Sequence, residues 1–226
     1  MDGNGRWAKA RGLKRYHGHS AGVERVREIV EEAVQIGIEE LTLYAFSTEN
    51  WNRPKVEVDF LMKLFQTYLK KEISTFMENN IQFRVIGDLK PVPSQVRKEV
   101  EETIQKTASN DGMILRIALS YGGRMELTEA VQKIAQKVKK GQIEPSEITE
   151  EVIRDHLYDP QMHDPDLIIR TSGEYRISNF LLWQSSYSEF WVSTIFWPDF
   201  TVTYFRQALQ DYQNRERRFG KVPSNK

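Results

Sequence analysis

The chain of 226 residues contains no cysteine. A disulfide framework, a zinc site built on thiolates and a thiol nucleophile are therefore excluded. The sequence also has no G-x-x-x-x-G-K-[ST] motif, which excludes a P-loop. Because nothing in the chain calls for an oxidising compartment, we expect it to work in the reducing cytoplasm.

Long apolar runs are missing as well. The longest are short, such as Leu181-Leu182-Trp183, whereas a membrane-spanning helix needs about 20 apolar residues. No signal peptide is visible, so we expect any contact with a membrane to be peripheral. Basic and acidic residues balance, 32 against 32, and the pI is near 6.9, which argues against nucleic acid as a partner.

What is present is a globular composition. Apolar residues make up 39% of the chain and aromatic residues 11%, which excludes disorder. A chain of this length buries a full core, and we expect a single domain over residues 1–226. Strand and helix patterns alternate, which predicts an α/β fold with an open, mostly parallel six-stranded sheet flanked by helices. The visible strand patterns are 41–46, 81–86, 113–119, 167–169 and 190–195, and the helix patterns include 23–34, 56–79, 125–140, 149–158 and 204–219.

Three polar loops, 47–53, 120–124 and 170–179, each follow a predicted strand. Ligands of open α/β sheets bind at the carboxyl ends of the strands, so we expect these loops to converge on one rim. The glycine-rich segment 2–8 belongs on the same rim, but no strand precedes it. We therefore expect the first strand of the sheet to be missing and Met1 to be internal to a longer protein. The alternative, a true start at Met1, leaves a gap in the sheet.

The segment Asp2-Gly3-Asn4-Gly5-Arg6-Trp7-Ala8 predicts an anion site. Its two glycines let backbone N–H groups approach an anion closely. Asp2 is a candidate ligand for a hard cation such as Mg²⁺. Basic residues follow at Arg6, Lys9, Arg11, Lys14 and Arg15. Together these features indicate a site for a diphosphate with Mg²⁺, and the plain alternative is a glycine-rich turn.

The same segment matches the G-x-G-x-x-[G/A] fingerprint of dinucleotide-binding folds, with Glu24 near the position of the ribose-binding acid. That fingerprint needs a preceding strand and a helix that opens directly on the glycines. No strand precedes, and Gly12, Gly18 and Gly22 predict a loop rather than a helix. We therefore favour the diphosphate site over a nucleotide-dependent oxidoreductase.

Further candidates lie on the other loops. Arg170 and Arg176, together with Ser178, suit a second phosphate group held by two guanidinium groups. The alternative is that these arginines pair with Glu174 and nearby acids. The loop 47–53 either positions a substrate or simply caps the helix that follows.

The remaining candidates have equally plain alternatives. His17 and His19 bracket a glycine, but no third ligand of matching type supports a metal, so we favour a hydrogen bond from His19 to a phosphate. Glu189 is a metal candidate or a solvated charge. The apolar stripe on helix 56–79 is ordinary core or the wall of an apolar tunnel between the sheet and the helices.

Several segments together resemble the cis-prenyltransferase family, over essentially the whole chain. They are residues 2–8, 18–19, 46–54, 121–124, 164–174 and 176–184. The chain departs from the family in one respect, because family members have a strand before the segment that corresponds to residues 2–8. The resemblance implies a Mg²⁺-dependent transferase in which a farnesyl diphosphate starter receives successive isopentenyl diphosphate units, each adding a cis double bond. The implied product is a long polyprenyl diphosphate such as undecaprenyl diphosphate, a lipid carrier precursor for cell-wall synthesis.

The resemblance also implies roles for individual residues. Asp2 handles Mg²⁺ and helps the diphosphate leave, and Asn50 is the second predicted catalytic residue, close to Ser47 where the condensing proton is lost. The allylic diphosphate is held by Gly3, Asn4, Gly5, Arg6 and Arg15, with assistance from His19. Isopentenyl diphosphate is held by Arg170, Arg176 and Ser178, with Glu189 near its metal. The other implied substrate contacts are Trp7, Glu49, Trp51 and Arg53.

Two larger features follow from the same resemblance. The family forms homodimers, and its C-terminal segment, here residues 215–220, reaches toward the partner; the alternative is a solvated helix end. The product would grow in a tunnel walled in part by Phe60, Leu61, Leu64, Phe65 and Leu69. A non-catalytic binding subunit with the same fold is disfavoured, because the implied site residues are all present.

Overall fold

The computed structural model describes residues 1–217 of the chain. Three strands form a parallel sheet at its centre. They are β1 (Glu40–Ser47), β2 (Gln82–Ile86) and β3 (Ile114–Tyr121), and they lie in the order β1-β3-β2. The crossover from β1 to β2 contains α3 (Lys55–Glu78), and the crossover from β2 to β3 contains α4 (Ser94–Thr107). Parallel neighbours need crossovers of this kind, because a tight hairpin joins only antiparallel strands.

Five more helices occur among the described residues. They are α1 (Asn4–Ala10), α2 (Arg15–Gln35), α5 (Gly123–Lys139), α6 (Glu150–Arg154) and α7 (Val202–Gln213). The last helix ends earlier than predicted, with Asn214 as its C-cap. None of the helices in residues 1–217 combines the length and the apolar character that a membrane crossing requires.

The predicted single sheet is not formed by the described residues. The last two strands, β4 (Leu167–Arg170) and β5 (Glu189–Val192), pair with each other in parallel and make a separate sheet. A cavity of about 1620 Å³ lies between the two sheets, and its walls include every residue of β1 and of β4. β1 and β4 face each other across this cavity. They share no ladder of hydrogen bonds in the described chain, so the two sheets are separate.

The two faces of the central sheet are covered differently. The larger core joins the apolar sides of α2, α3 and α4 to alternate residues of the strands, such as Leu115, Ile117 and Leu119 of β3. Ala118 points the other way and packs in a second cluster with Leu181. Tyr121 joins this cluster as well, because the positive φ of Ser120 (+52°) interrupts the alternation before it. Alternation along a strand with both faces covered gives the nearly complete burial of β3.

A buried ion cluster lies on the second face, and the sequence patterns gave no sign of it. Arg116 of β3 is fully buried, and its Nε donates to Asp159 at 2.7 Å while its Nη1 donates to Glu40 at 2.5 Å. Both partners are anions, so the guanidinium charge is compensated where it leaves water. Hydrogen bonds and ion pairs from Arg116 and Arg84 hold the pKa of Asp159 below its ordinary value, although burial opposes this change.

The prediction of a loop around the early glycines is wrong in two places. Gly18 and Gly22 lie inside α2, and α1 opens directly on Gly3, its N-cap. At Gly18 the physical reason is packing, since a Cβ there would lie 1.9 Å from the backbone oxygen of Asn4. Glycine is therefore used here to let α1 and α2 approach closely, and its low helix propensity is overridden by that contact.

Replacing Gly18 with alanine should separate the two helices. We expect Gly18→Ala to lower the free energy of unfolding by about 1–3 kcal/mol, the usual range for overpacking, measured by urea denaturation. Ser20→Ala, at an exposed position of the same helix, is the matched control and should change stability by less than about 0.5 kcal/mol. Equal stability of Gly18→Ala and Ser20→Ala would contradict the close approach.

Candidate active site

Asp2 joins the segment before α1 to the end of β4. Its backbone N–H donates to Oγ1 of Thr171 at 3.1 Å, and its backbone oxygen accepts from the hydroxyls of Thr171 (2.9 Å) and Ser172 (2.8 Å). The N–H of Trp197 donates to the same oxygen at 3.0 Å. These bonds hold the glycine-rich segment at the carboxyl end of β4, on the rim where the sequence predicted it.

The carboxylate of Asp2 lies between two arginines. Arg170 Nη2 is 3.1 Å from its Oδ2, and Arg6 Nη2 is 3.3 Å from its Oδ1, which also accepts the Gly3 N–H at 2.6 Å. Burial alone would raise the pKa of Asp2, but the hydrogen bond from Arg170 and the charge of Arg6 outweigh it and lower that pKa. The group is therefore a carboxylate at neutral pH, as a metal ligand must be.

Gly3 is required by the backbone at this point. Its φ is +98°, in the left-handed region, and a Cβ on it would lie 2.1 Å from Oγ of Ser172. An L side chain is disfavoured by the dihedral angle and also has no space. Asn4 and Gly5 then form the first turn of α1, where backbone N–H groups have no acceptor within the helix.

Arg6 and Arg176 are held by the two oxygens of one carboxylate. Arg6 Nη1 lies 2.7 Å from Oε1 of Glu174, and Arg176 Nη1 lies 2.5 Å from Oε2. The pKa of Glu174 is lowered, first by the hydrogen bond from Arg176 and then by that from Arg6. The contact of Arg176 is therefore the one that the sequence offered as an alternative, a pair with Glu174.

Arg170 organises the loop that follows β4. Its Nη1 donates to Oγ of Ser178 at 2.9 Å and also to the backbone oxygen of Arg176. Ser172 and Ser178 both have positive φ, +77° and +48°. Such conformations are uncommon for residues other than glycine and cost free energy, so the Arg170 contacts help to hold the loop in this shape.

On the other side of the glycine-rich segment, the carboxylate of Glu57 contacts two arginines and a histidine. Its Oε1 lies 3.0 Å from Arg15, 3.1 Å from Arg53 and 3.5 Å from Nε2 of His19. Burial would raise the pKa of Glu57, but the hydrogen bond and charge of Arg15 outweigh it and lower that pKa. His19 is buried, and burial lowers its pKa against the opposing effect of Glu57, which favours the neutral ring.

The loop 47–53 forms a 3₁₀ turn with reciprocal capping. The backbone N–H of Ser47 donates to Oδ1 of Asn50 at 3.2 Å, and the Ser47 side chain caps the turn in return. Glu49 accepts from Nδ2 of Asn179 at 2.8 Å, and this bond lowers the pKa of Glu49 although burial would raise it. The loop thus caps its own turn, whereas α3, whose N-cap is Pro54, begins without a side-chain cap. Ser47, Glu49, Asn50 and Arg53 line the larger cavity, and the positioning of a substrate by this loop stays a prediction.

Asn179 connects the three predicted loops. Besides its bond to Glu49, its Oδ1 accepts the N–H of Arg124 and its backbone oxygen accepts the N–H of Gly123, both at 2.8 Å. Its φ is +64°, a conformation that asparagine tolerates better than most residues. The loops 47–53, 120–124 and 170–179 therefore meet as predicted, through one side chain.

An apolar cavity of about 100 Å³ adjoins the site, between α2, α3 and β1. Three of the predicted wall residues, Leu61, Leu64 and Phe65, line it. Leu69 is fully buried in the core instead, and Phe60 packs against Tyr16 with ring centroids 5.9 Å apart. Met1, Asn4 and His19 line both this cavity and the larger one, so the two are adjacent at the glycine-rich segment.

Trp7 and Glu189 have their contacts away from the rim, and Trp51 contacts the loop 120–124. Trp7 donates from its indole to Asp199 at 2.7 Å, and Trp51 donates to Ser120 at 3.0 Å. Glu189 begins β5 beside Leu167, at the opposite end of that small sheet from Arg170, and pairs with Arg215 at 2.7 Å. No group of three or more acidic or histidine side chains is arranged for a metal among residues 1–217, and within them Asp2 and Glu189 are not in contact.

The C-terminal segment folds back on its own chain as far as it is described. Arg215 contacts Glu189, and Arg217 pairs with Asp166. Residues 218–220 of the segment that we expected to reach a partner lie outside the described residues.

Two residues at the site, the acid Glu57 and the amide Asn179, were missed by sequence reasoning. Glu57 stands four residues after Arg53 at the start of α3, a helical spacing at which opposite charges meet, so a signal was available. Asn179 gave no comparable signal, because its importance comes from contacts with residues that are 55 and 130 positions away in sequence.

Comparisons with known proteins agree with this architecture. A family model described as "Putative undecaprenyl diphosphate synthase" matches residues 1–220. The isoprenyl transferase of Shouchella clausii is 54% identical over 222 residues, covering 98% of this chain and 86% of the relative. That of Bacillus subtilis is 49% identical over 222 residues, covering 98% and 85%.

A solved structure has the same fold. Lavandulyl diphosphate synthase from Lavandula x intermedia, crystallised in complex with dimethylallyl diphosphate, superposes with a TM-score of 0.96 and 38% sequence identity. The alignment covers 98% of this chain and 95% of that one. The strand order, the convergent arginine loops and these matches lead to one conclusion: the chain belongs to the cis-prenyltransferase family of isoprenyl transferases.

Proposed function

We propose that this chain condenses isopentenyl diphosphate units onto farnesyl diphosphate, with Mg²⁺, to make a long polycis-prenyl diphosphate. Undecaprenyl diphosphate is the product that the family resemblance favours. The observation that carries the proposal is the convergence of arginines from two separate segments, Arg6 on one side and Arg170 with Arg176 on the other, around Asp2. Two groups of cations beside an apolar cavity suit two diphosphates and one prenyl chain.

The allylic diphosphate is assigned to the start of α1. Gly3 brings the backbone close without a side chain, and the N–H groups of Asn4 and Gly5 point out of the first helical turn. Arg6 and Arg15 supply charge, and His19 supplies a ring N–H from its neutral form. The prenyl tail then enters the cavity beside Leu61 and Leu64.

Isopentenyl diphosphate is assigned to the loop after β4. Arg170 and Arg176 can each hold a phosphate by two N–H groups, and Ser178 adds a hydroxyl next to Arg170. Holding both substrates on one rim fixes the distance and orientation of the reacting carbons, which removes much of the entropic cost of a bimolecular step.

Asp2 fits a magnesium ion bound together with a diphosphate. Mg²⁺ in such sites takes one or two carboxylates and completes its shell with phosphate oxygens and water. Asp2 supplies an ionised carboxylate at the rim, whereas Glu189 is held by Arg215 in this chain. The bound ion would stabilise negative charge on the leaving diphosphate, and preorganised N–H donors and arginines of the chain add to that stabilisation.

The loss of a proton from the condensing isopentenyl unit is assigned to the loop 47–53. Ser47 and Asn50 are positioned by their mutual capping bonds, and Arg53 by its pair with Glu57. Trp51, packed on Phe46 with ring centroids 4.8 Å apart, supports this loop from the core side.

The proposed homodimer rests on the family resemblance, and so does a peripheral membrane contact for product release.

The proposal is tested directly by incubating the protein with farnesyl diphosphate, labelled isopentenyl diphosphate and Mg²⁺ and sizing the products. We expect a ladder ending in one long product. Asp2→Asn, which keeps the shape but removes the charge, should lower kcat by about 100-fold or more. Asp155→Asn, at an exposed position just after α6, is the control. Near-full activity of Asp2→Asn would contradict the assignment.

The apolar cavity predicts a change in product length. Leu64→Trp adds bulk to its wall, so we expect shorter products at a similar rate of the first condensation. Lys63→Trp places the same side chain at the neighbouring exposed position of α3 and should leave the length unchanged. An identical product distribution for both variants, measured by chromatography of the dephosphorylated products, would refute the tunnel assignment.

The contacts of Asn179 predict that removing its side chain impairs the use of isopentenyl diphosphate more than that of farnesyl diphosphate. Asn179→Gly removes the bonds to Glu49 and Arg124 without straining the positive φ. We expect kcat/KM for isopentenyl diphosphate to fall by about tenfold or more, since small misplacements at a site are costly, while KM for farnesyl diphosphate changes little. Asn80→Gly is the matched control, because Asn80 also has positive φ but bonds to Asp111 far from the site. Equal kinetics of the two variants would show that Asn179 has only a structural role.

A further inference from the structure

A group of exposed apolar side chains lies where α2 and α3 begin. Leu13 is 43% exposed, Tyr16 42% and Val56 83%. The starts of the two helices are joined by the Arg15–Glu57 pair at 3.0 Å and by the Tyr16 ring, which lies 5.9 Å from that of Phe60. We call Leu13, Tyr16 and Val56 the apolar lip.

The chain around the apolar lip has an unusual charge pattern. Residues 3–23 contain no acid, although acids and bases balance over the whole sequence. Lys9 and Lys14 are exposed and have no carboxylate within 4 Å in the described part of the chain. Lys55, at the start of α3, is also exposed and has no carboxylate within that distance among the described residues. The exposed acid nearby is Asp59, so positive charge dominates this surface.

The apolar lip is also next to the path of the prenyl chain. Leu61, Leu64 and Phe65, which line the apolar cavity, follow Val56 on the same helix within three turns. His19, on α2 one turn after Tyr16, lines the cavity from the other side. A product leaving between these two helices would therefore pass the apolar lip.

We infer that the apolar lip and its lysines form a docking surface for an anionic lipid bilayer. Exposed apolar side chains with unpaired lysines close to them in sequence match the two components of interfacial binding, burial below the headgroups and attraction to anionic lipid. A protein partner would call for an apolar patch with a charge-depleted centre and a polar rim, whereas positive charge dominates here. The purpose of such docking, to pass a water-insoluble product to the bilayer, rests on the proposed function.

The test is sedimentation with vesicles in the absence of substrates and Mg²⁺, so that its outcome does not depend on catalysis. The wild-type chain should bind phosphatidylcholine vesicles that contain phosphatidylglycerol, bind pure phosphatidylcholine vesicles much more weakly, and detach as salt is raised. Lys9→Gln and Lys14→Gln should each weaken binding about fivefold. Lys137→Gln and Lys140→Gln on and just after α5 are the charge-matched controls.

A pair of valines tests the apolar component. Val56→Ser should weaken vesicle binding about tenfold, whereas Val131→Ser, at a 59% exposed position of α5, should leave it unchanged. Circular dichroism and the condensation assay in detergent check that both variants are folded and active. Equal binding of the two valine variants, or no preference for anionic vesicles, would overturn the inference. Vesicle binding without condensation activity would instead count against the proposed function alone.

Discussion

The site depends on the ion pair between Asp2 and Arg170. In the described chain, the segment before α1 has no strand partner, and it is fixed by the contacts of Asp2 with the end of β4 and with Trp197. The same pair sets the direction of Arg170, which then holds Ser178 and the backbone of Arg176. The contacts of Asp2, with this ion pair among them, thus position the two segments that are assigned to the two diphosphates.

Two carboxylates keep the remaining cations ordered before any ligand arrives. Glu57 holds Arg15 and Arg53, and Glu174 holds Arg6 and Arg176. Clustered guanidinium groups would otherwise repel one another and lose side-chain entropy when they bind. If a diphosphate binds as proposed, it would exchange for, or join, an existing anion at a formed site, and the arginines would need little rearrangement to receive it.

The fold class could be predicted because its signals are local. Alternating strand and helix patterns predicted the parallel arrangement, and the polar loops after the strands predicted the rim. The helix at Gly18 could not be predicted in the same way, because its glycine serves a contact with Asn4 that only the folded chain reveals. The periodicity also did not show where the sheet would divide, although a missing first strand was expected. Which strands pair is a property of distant segments, and here β1 pairs with β3 and β4 pairs with β5.

The candidate site was predicted mainly through motif resemblance, and the structure shows where chemistry and position agree. Asp2, Arg6, Arg170 and Ser178 converge as predicted. Trp7 and Glu189 do not join them, because Asp199 and Arg215 offer each a nearby partner. Residue type alone indicated which side chains can bind phosphate. The positions of those arginines depend on their counter-ions, Glu57 and Glu174.

The central claim is that two distinct diphosphate sites share one rim. Arg6 and Arg176 test it most directly, because both pair with the same carboxylate of Glu174 yet are assigned to different substrates. Steady-state kinetics of Arg6→Gln and Arg176→Gln, with each substrate varied in turn, is the decisive measurement. We predict that Arg6→Gln raises KM for farnesyl diphosphate and Arg176→Gln raises KM for isopentenyl diphosphate, each by about tenfold. The same change in both Michaelis constants for both variants would contradict the account.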